Sequence, residues 1–408
     1  MKYRMSGWRG LLIIAVALLC ASFMVTAAVA DTVKFGVCEI RSGAFKSNGD
    51  RVLWGIEAAV KEANDAGGLL GKKIELVVED NQMKGEIAVQ KVKKLILQDK
   101  ALVIIQGSSS GVGTAIARAI PRLKRIYLCT NAEAMAITGE FWSPYVFRTC
   151  MNAGMHVKAL AYYFAKKTNY RKVFLINQDY SWGYDVAKFY EKWIKQFAPS
   201  TEIVGKEFHP VFNKDFAPYI SKIMASGADY VVTGNWGTDL AQFIIQAKNL
   251  GMNLPIGCCF LDDDGVMSVV REAGLGHVTA NMYLLGADTP RAKEFEETFY
   301  KSSGGKWPSF VAMEAYIGTK MFIEAVKKAG SFETEKIIKA FEGFTWDGPL
   351  GPITIRKEDH QAQTPMAVGV CVKKTKYYDF PYVKPIMVIP ADVISVSLED
   401  SGWKGTRR

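Results

Sequence analysis

Apolar positions along this chain alternate between two rhythms. Residues 33–37 form an apolar-rich run of strand length, and Leu53, Ile56, Val60 and Ala63 then recur at helical spacing until Gly67-Gly68 ends the pattern. The pair repeats: strands are expected over 73–78, 102–105 and 126–128, with helices through Ala88, Val92, Leu95 and Ile96 and over 114–123. Apolar strands alternating with amphipathic helices specify a parallel sheet covered on both faces. Beyond about residue 152 the pattern restarts. A helix over 155–166 precedes strands over 173–176, 203–208, 230–233 and 256–259; the intervening helices follow Trp182, span 216–224, and carry Leu240, Phe243, Ile244 and Ala247 on one face. Helices over 291–300 and 310–328 and a β-rich tail complete the chain. No low-complexity tether separates the blocks, so short crossovers are expected to join two α/β lobes.

The first thirty residues obey a different logic. Lys2, Arg4 and Arg9 precede an apolar run from Leu11 to Leu19, and small residues end at Ala28-Val29-Ala30 before Asp31. This is the pattern of a secretory leader cleaved after Ala30, and the run is too short for a membrane anchor. Cys20 follows Leu18-Leu19 rather than a small residue, which speaks against lipid attachment. Removing the leader leaves 48 Lys and Arg against 41 Asp and Glu, without a block of five like charges. That excess is ordinary solvated surface, and nucleic acid is not implied as a partner.

The six later cysteines, Cys38, Cys129, Cys150, Cys258, Cys259 and Cys371, lack the density of a disulfide scaffold and any C-x-x-C or zinc spacing, so most read as small buried hydrophobes. His156, His209, His277 and His360 lie far apart without a catalytic or metal motif and read as surface or packing residues. No metal or cofactor is called for.

Ligands of open parallel sheets bind beyond the carboxyl ends of the strands. The loop Gly107-Ser108-Ser109-Ser110-Gly111 precedes a helix whose free N–H groups suit a carboxylate, although serines there also serve as plain helix caps. It lacks the Lys-Ser/Thr ending of a phosphate loop. Further strand ends supply Cys129 to Glu133, Asp179 to Gly183, Gly234 to Gly237, and Leu261 to Gly265. Trp182 and Trp236, at loop-to-helix junctions in apparently equivalent positions, suit pocket walls, and ordinary packing is the alternative. Among Asp262, Asp263 and Asp264 one acid could neutralise a ligand ammonium; a solvated turn with a helix cap is the plainer reading.

The mature chain resembles the branched-chain amino acid binding family, the type I periplasmic binding proteins of ABC transporters. The resemblance rests on Ser42-Gly43 with Asn48-Gly49-Asp50, on residues 62–76 around Asn64-Asp65-Ala66-Gly67-Gly68, and on Val146-Phe147-Arg148-Thr149. It implies two doubly wound parallel-sheet lobes joined by hinge crossovers: lobe 1 over 31–152 plus 285–364, lobe 2 over 153–284 plus 365–408. It also implies a periplasmic, monomeric protein that closes on a small-molecule ligand and delivers it to membrane permease subunits.

Carried over by position, the carboxylate-holding serine is Ser110, the contact loop runs from Asn131 to Glu133, Trp182, Trp236 and Phe310 are the aromatics around the ligand, and the amine-binding acid is Asp262, with Asp263 as the alternative that a small insertion leaves open. Phe45 and Asn48 fall in the first loop facing the cleft. Glu133 stands where many relatives carry threonine, and Asn48 where they often carry an aromatic. An extra acid beside a carboxylate subsite repels the ligand's own carboxylate unless it is paired. The family resembled extends to binders of amides, urea and aromatic acids, so the ligand is given as a class: an amino acid or a related small polar molecule. Two other functions compete. A hydrolase would need a nucleophile with a base, and no G-x-S-x-G or comparable motif occurs; a sensory receptor module would use the same fold.

Overall fold

A computed structural model describes residues 32–405; the leader expected over 1–30, including Cys20 and the Ala30 junction, lies outside the described residues. Strand β1 (Thr32–Glu39) is buried from Phe35 onward, because helices cover both faces of its sheet. Helix α1 (Lys46–Asp65) leads to β2 (Lys73–Asp80), α2 (Gly85–Leu97), β3 (Val103–Gln106), α3 (Ser110–Ala119), β4 (Ile126–Cys129) and β5 (Val146–Arg148). All neighbouring strands of this sheet are parallel, in the order β2-β1-β3-β4-β5.

The second lobe contains α4 (Ala153–Lys167), β6 (Lys172–Gln178), α5 (Ser181–Phe197), β7 (Glu202–His209), α6 (Ala217–Ala225), β8 (Tyr230–Thr233), α7 (Gly237–Asn249), β9 (Ile256–Cys258), α8 (Asp264–Val270) and β10 (Val278–Asn281). After α9 (Pro290–Ser302), α10 (Phe310–Ala329) packs on α1 of the first lobe. A Cβ on Gly55 would lie 2.0 Å from the Ala312 carbonyl oxygen, so glycine is what lets these two helices touch. The tail adds α11 (Thr334–Phe341), a three-stranded sheet of β11 (Thr345–Gly348), β12 (Gly351–Ile355) and β13 (Ala362–Gln363), then β14 (Met366–Val372) and β15 (Tyr382–Ile389). The second sheet is ordered β15-β14-β10-β9-β8-β6-β7; β14 and β15 join it antiparallel, so it is parallel only through β10. The last segment touches both lobes: Arg356 donates to the Val396 carbonyl and Lys158 to that of Ser395.

Several local expectations change. Helix α3 begins at Ser110, four residues before the expected start at 114, and ends at Ala119 before a 3-10 turn over Ile120–Arg122. Its Ser and Gly residues occupy the first turns, where poor propensity costs least because those N–H groups lack intrahelical partners anyway. Asn48 is in the first turn of α1, with Phe45 as the residue before the helix, so neither belongs to a free loop. Helix α11 and strand β10, only four residues long, were not expected, while α8 begins among the acids whose plainer reading was a turn with a helix cap. No histidine is exposed, and His156, His209 and His360 are fully buried. All six cysteines in the described residues are free and buried. No helix among the described residues is long and apolar enough to cross a membrane.

Candidate functional site

Both strand orders reverse direction at one place, between β1 and β3 in the first sheet and between β6 and β8 in the second. Loops leaving adjacent strands diverge there and open a crevice at the carboxyl ends. The elements that follow β1, β3 and β4 face those that follow β6, β8 and β9. Between them lies a small cavity lined by Asn48, Ser108 to Ser110, Asn131 to Glu133, Tyr180, Trp182, Trp236, Phe260, Phe310 and Val311.

The serine loop is held from below. Glu39, the last residue of β1, is fully buried; its carboxylate accepts from the N–H of Ile40 (2.8 Å), Gly107 (2.8 Å) and Ser108 (3.1 Å). Burial pushes its carboxyl up to about 7 against the pull of those donors. Ser109 sits at φ 75°, a strained backbone for a residue with a Cβ, and its side chain does not cap α3. The Ser110 hydroxyl oxygen accepts from the N–H of Glu133 (3.2 Å) and Ala134 (3.0 Å), which leaves its own proton to donate into the cavity. Simple capping therefore does not account for these serines.

The loop after β4 is fixed from behind by Arg148, which is fully buried. Its guanidinium donates to the carbonyls of Ala132 (3.3 Å) and Ala134 (2.7 Å), to Thr138 Oγ1 (2.7 Å) and to Gln361 Oε1 (2.5 Å). Asn131 Nδ2 donates to Glu314 Oε2 at 2.7 Å and to the Val311 carbonyl at 3.1 Å, tying this loop to α10. Glu133, 1% exposed, shares a 2.7 Å hydrogen bond between Oε2 and His156 Nδ1, while Oε1 has no partner. Burial raises its carboxyl; His156 and Arg148 oppose that rise.

Aromatic rings form the opposing wall. Trp182 donates its indole N–H to the Gly234 carbonyl (2.7 Å) and Trp236 donates to Tyr180 Oη (2.9 Å). Ring centroids are 5.2 Å apart for Trp182 and Phe260 and again for Phe260 and Phe310, so the rings pack as one surface. The residue equivalent to Trp236 is Tyr180: both immediately precede a helix, whereas Trp182 is the second residue of α5.

Contacts also cross the cleft. Arg51 Nε pairs with Asp264 Oδ1 at 2.6 Å, and Asn48 Nδ2 donates to Asp263 Oδ2 at 3.3 Å. Phe45 lies against Trp236 with centroids 4.1 Å apart, and the Met135 N–H donates to Asp185 at 2.8 Å. The lobes are closed on one another. Of the eight side chains singled out in the sequence, Asn48, Ser110, Asn131, Glu133, Trp182, Trp236 and Phe310 line the cavity. Asp262 does not; it is 1% exposed, with both carboxylate oxygens unpartnered, and burial pushes its carboxyl well up. Asp263 caps α8 through Gly265 and Val266. Glu39, Phe260 and Glu314 escaped sequence reasoning, whereas Arg148 and Tyr180 stood within a motif and a strand-end loop read in the sequence without a role of their own. No group of three or more His, Cys, Asp or Glu among the described residues is placed to hold a metal ion.

This closed, two-lobed crevice matches a known architecture. Residues 32–376 fit the family model for periplasmic binding proteins. The chain belongs to the periplasmic binding protein family. A Leu/Ile/Val-binding protein homolog 4 of Brucella abortus (strain 2308) is 33% identical over 363 residues, 86% of each chain. The leucine-, isoleucine-, valine-, threonine-, and alanine-binding protein from Brucella ovis, solved in a closed conformation, superposes with a TM-score of 0.83 at 30% identity over 90% of this chain and 98% of that one. A solute binding protein of an ABC transporter from Rhodopseudomonas palustris BisB5, solved with 3,4-dihydroxy benzoic acid, gives 0.79 at 25% identity over 88% of this chain and 98% of that one. The fold of this periplasmic binding protein is type I, and membership in the family implies a periplasmic location and a small-molecule ligand rather than catalysis.

Proposed function

We propose that this chain is the solute-binding component of an ABC importer that captures an amino acid or a related small polar molecule between its lobes. The observation that carries the reading is an interlobe cavity holding two opposite chemistries: the Ser110 hydroxyl at the N-terminus of α3, and the unpartnered Glu133 oxygen. A helix N-terminus with a free hydroxyl proton suits a carboxylate. Glu133 suits an amine, with Asp262 adding its field from outside the lining residues. Trp182, Trp236 and Phe310 supply contact area, and Asn48 and Asn131 brace the two rims. Ligand binding favours the closed arrangement over an open one, and closure presents the surface that the permease subunits recognise. The five-ring wall and the relative solved with 3,4-dihydroxy benzoic acid also favour a second reading, an aromatic acid as ligand.

Mass spectrometry of the small molecule released when the purified protein is denatured tests both readings. An amino acid, amide or aromatic acid that raises the melting temperature when added back is the expected result. Recovery of none, together with no stabilising ligand in a metabolite screen, would remove the solute-binding reading. Intact mass of the exported protein tests the leader, with Asp31 expected as the first residue.

A further inference from the structure

We infer that the cavity selects ligands of net positive charge, with a cationic group held at Glu133 inside the aromatic wall. This rests on the solute-binding reading above and sharpens its ligand class. Four independent features point the same way.

None of the lining residues is Lys, Arg or His, so no side chain in the wall offers a cation to an anionic ligand. Glu133 does line it, almost fully buried, with one oxygen lacking any partner. Two further carboxylates without complete partners, Asp262 and Glu314, are each 1% exposed and interact electrostatically with Glu133. Both indole N–H groups are occupied at their edges, which leaves the negative faces of Trp182 and Trp236 as what the rings can offer a ligand.

The hydrogen-bond donors near Glu133 do not cancel this field. The Arg148 guanidinium is engaged with two carbonyls, Thr138 and Gln361, and His156 meets only one of Glu133's two oxygens. Burial raises the carboxyls of all three acids, and a cation brought among them offsets that desolvation cost. A neutral zwitterion brings a carboxylate that the Ser110 hydroxyl and the α3 N-terminus can receive but that still meets this field, and a benzoate brings a carboxylate alone. The ligand class is therefore an amine-bearing molecule whose positive charge is not balanced: an amino-acid amide, a diamino acid or a substituted ammonium compound.

The test is calorimetry on protein stripped of ligand by unfolding and refolding, with probes of one shape and three charges: leucinamide, leucine and 4-methylpentanoate, plus lysine and 4-hydroxybenzoate. The cations leucinamide or lysine are expected to bind at least about tenfold more tightly than leucine and the two acids. In Glu133→Gln the affinity for the cations is expected to fall by a factor of about thirty or more, the scale of losing one partner of a buried charge pair, and the preference to disappear. Glu314→Gln is expected to reduce the preference about threefold and covers the case in which the Glu133 variant does not fold. Equal or tighter binding of leucine or 4-hydroxybenzoate, abolished by Trp236→Ala, would overturn the charge selectivity and leave the solute-binding reading standing. Binding of no probe by correctly refolded protein would overturn both.

Discussion

At the scale of single residues, the cavity depends on two buried side chains that never reach it. Glu39 anchors the serine loop from the end of β1, and Arg148 anchors the loop of Glu133 from the end of β5. Arg148→Ala would take a charged donor from the Ala132 and Ala134 carbonyls, Thr138 and Gln361 in a dry interior, leaving those carbonyls only cysteine thiols and the Ile137 N–H, and Gln361 Oε1 only the Thr138 hydroxyl. A loss of about 2–4 kcal/mol of stability in urea melts is expected. Glu39 gives a pH signature. Its native carboxyl lies near 7 against the ordinary 4.5, so between those values the folded protein holds a proton that the unfolded chain releases. Its contribution to stability is fully present below 4.5 and is lost as pH rises through about 7. In Glu39→Gln this slope should vanish, so the advantage of the native protein over the variant shrinks from pH 5 to pH 8 in paired urea melts. A constant gap would show that Glu39 does not titrate as its burial requires.

At the scale of elements, the alternating strand and helix rhythm was legible because each core strand is uniformly apolar and each covering helix presents one apolar face. Segments whose stability comes from context were not. Strand β10 holds Val278 to Asn281 in place by pairing with β9 and β14, and the cap before α8 was legible as one of three acids, while its place at Asp263 is set by bonds to Gly265 and Val266. In the site the same division holds. Loop ends after strands could be read in order, which brought Ser110, Glu133, Trp182 and Trp236 forward. Glu314 could not, although it lies one helical turn beyond Phe310, where a buried acid shares the face of a pocket aromatic. Tyr180 shows the same loss: Trp182 drew attention by residue type, while position relative to the helix start selects its neighbour. Gly237 tests how tightly the elements meet. It has φ 56°, and a Cβ there would stand 2.4 Å from a Phe45 ring carbon across the cleft. Gly237→Ala should weaken ligand binding about tenfold by propping the lobes apart, measured by calorimetry, while lowering ligand-free stability by only about 1 kcal/mol.

At the scale of the molecule, function reduces to the balance between an open and a closed pair of lobes, and the closed form carries its own polar latch. Arg51 on the first lobe is 7% exposed and faces Asp264, with Asp263 close by. In the open form these groups return to water, so the latch adds to closure only what its pairing gains over that hydration, and removing one partner leaves the other stranded when the lobes meet. Arg51→Ala should therefore act on closure more than on folding. Each lobe keeps its own sheet, whereas the closed state must bury Asp263, and cover part of Asp264, without their cation. Since a ligand pays for any unfavourable closure out of its own affinity, a shift of about 2 kcal/mol in that balance lowers binding by a factor of about thirty. Small-angle scattering with and without saturating ligand separates the causes. A larger radius of gyration in the ligand-free variant, recovering on saturation, is expected if Arg51 acts as a latch. An unchanged radius with a large fall in melting temperature would make Arg51 a folding residue instead.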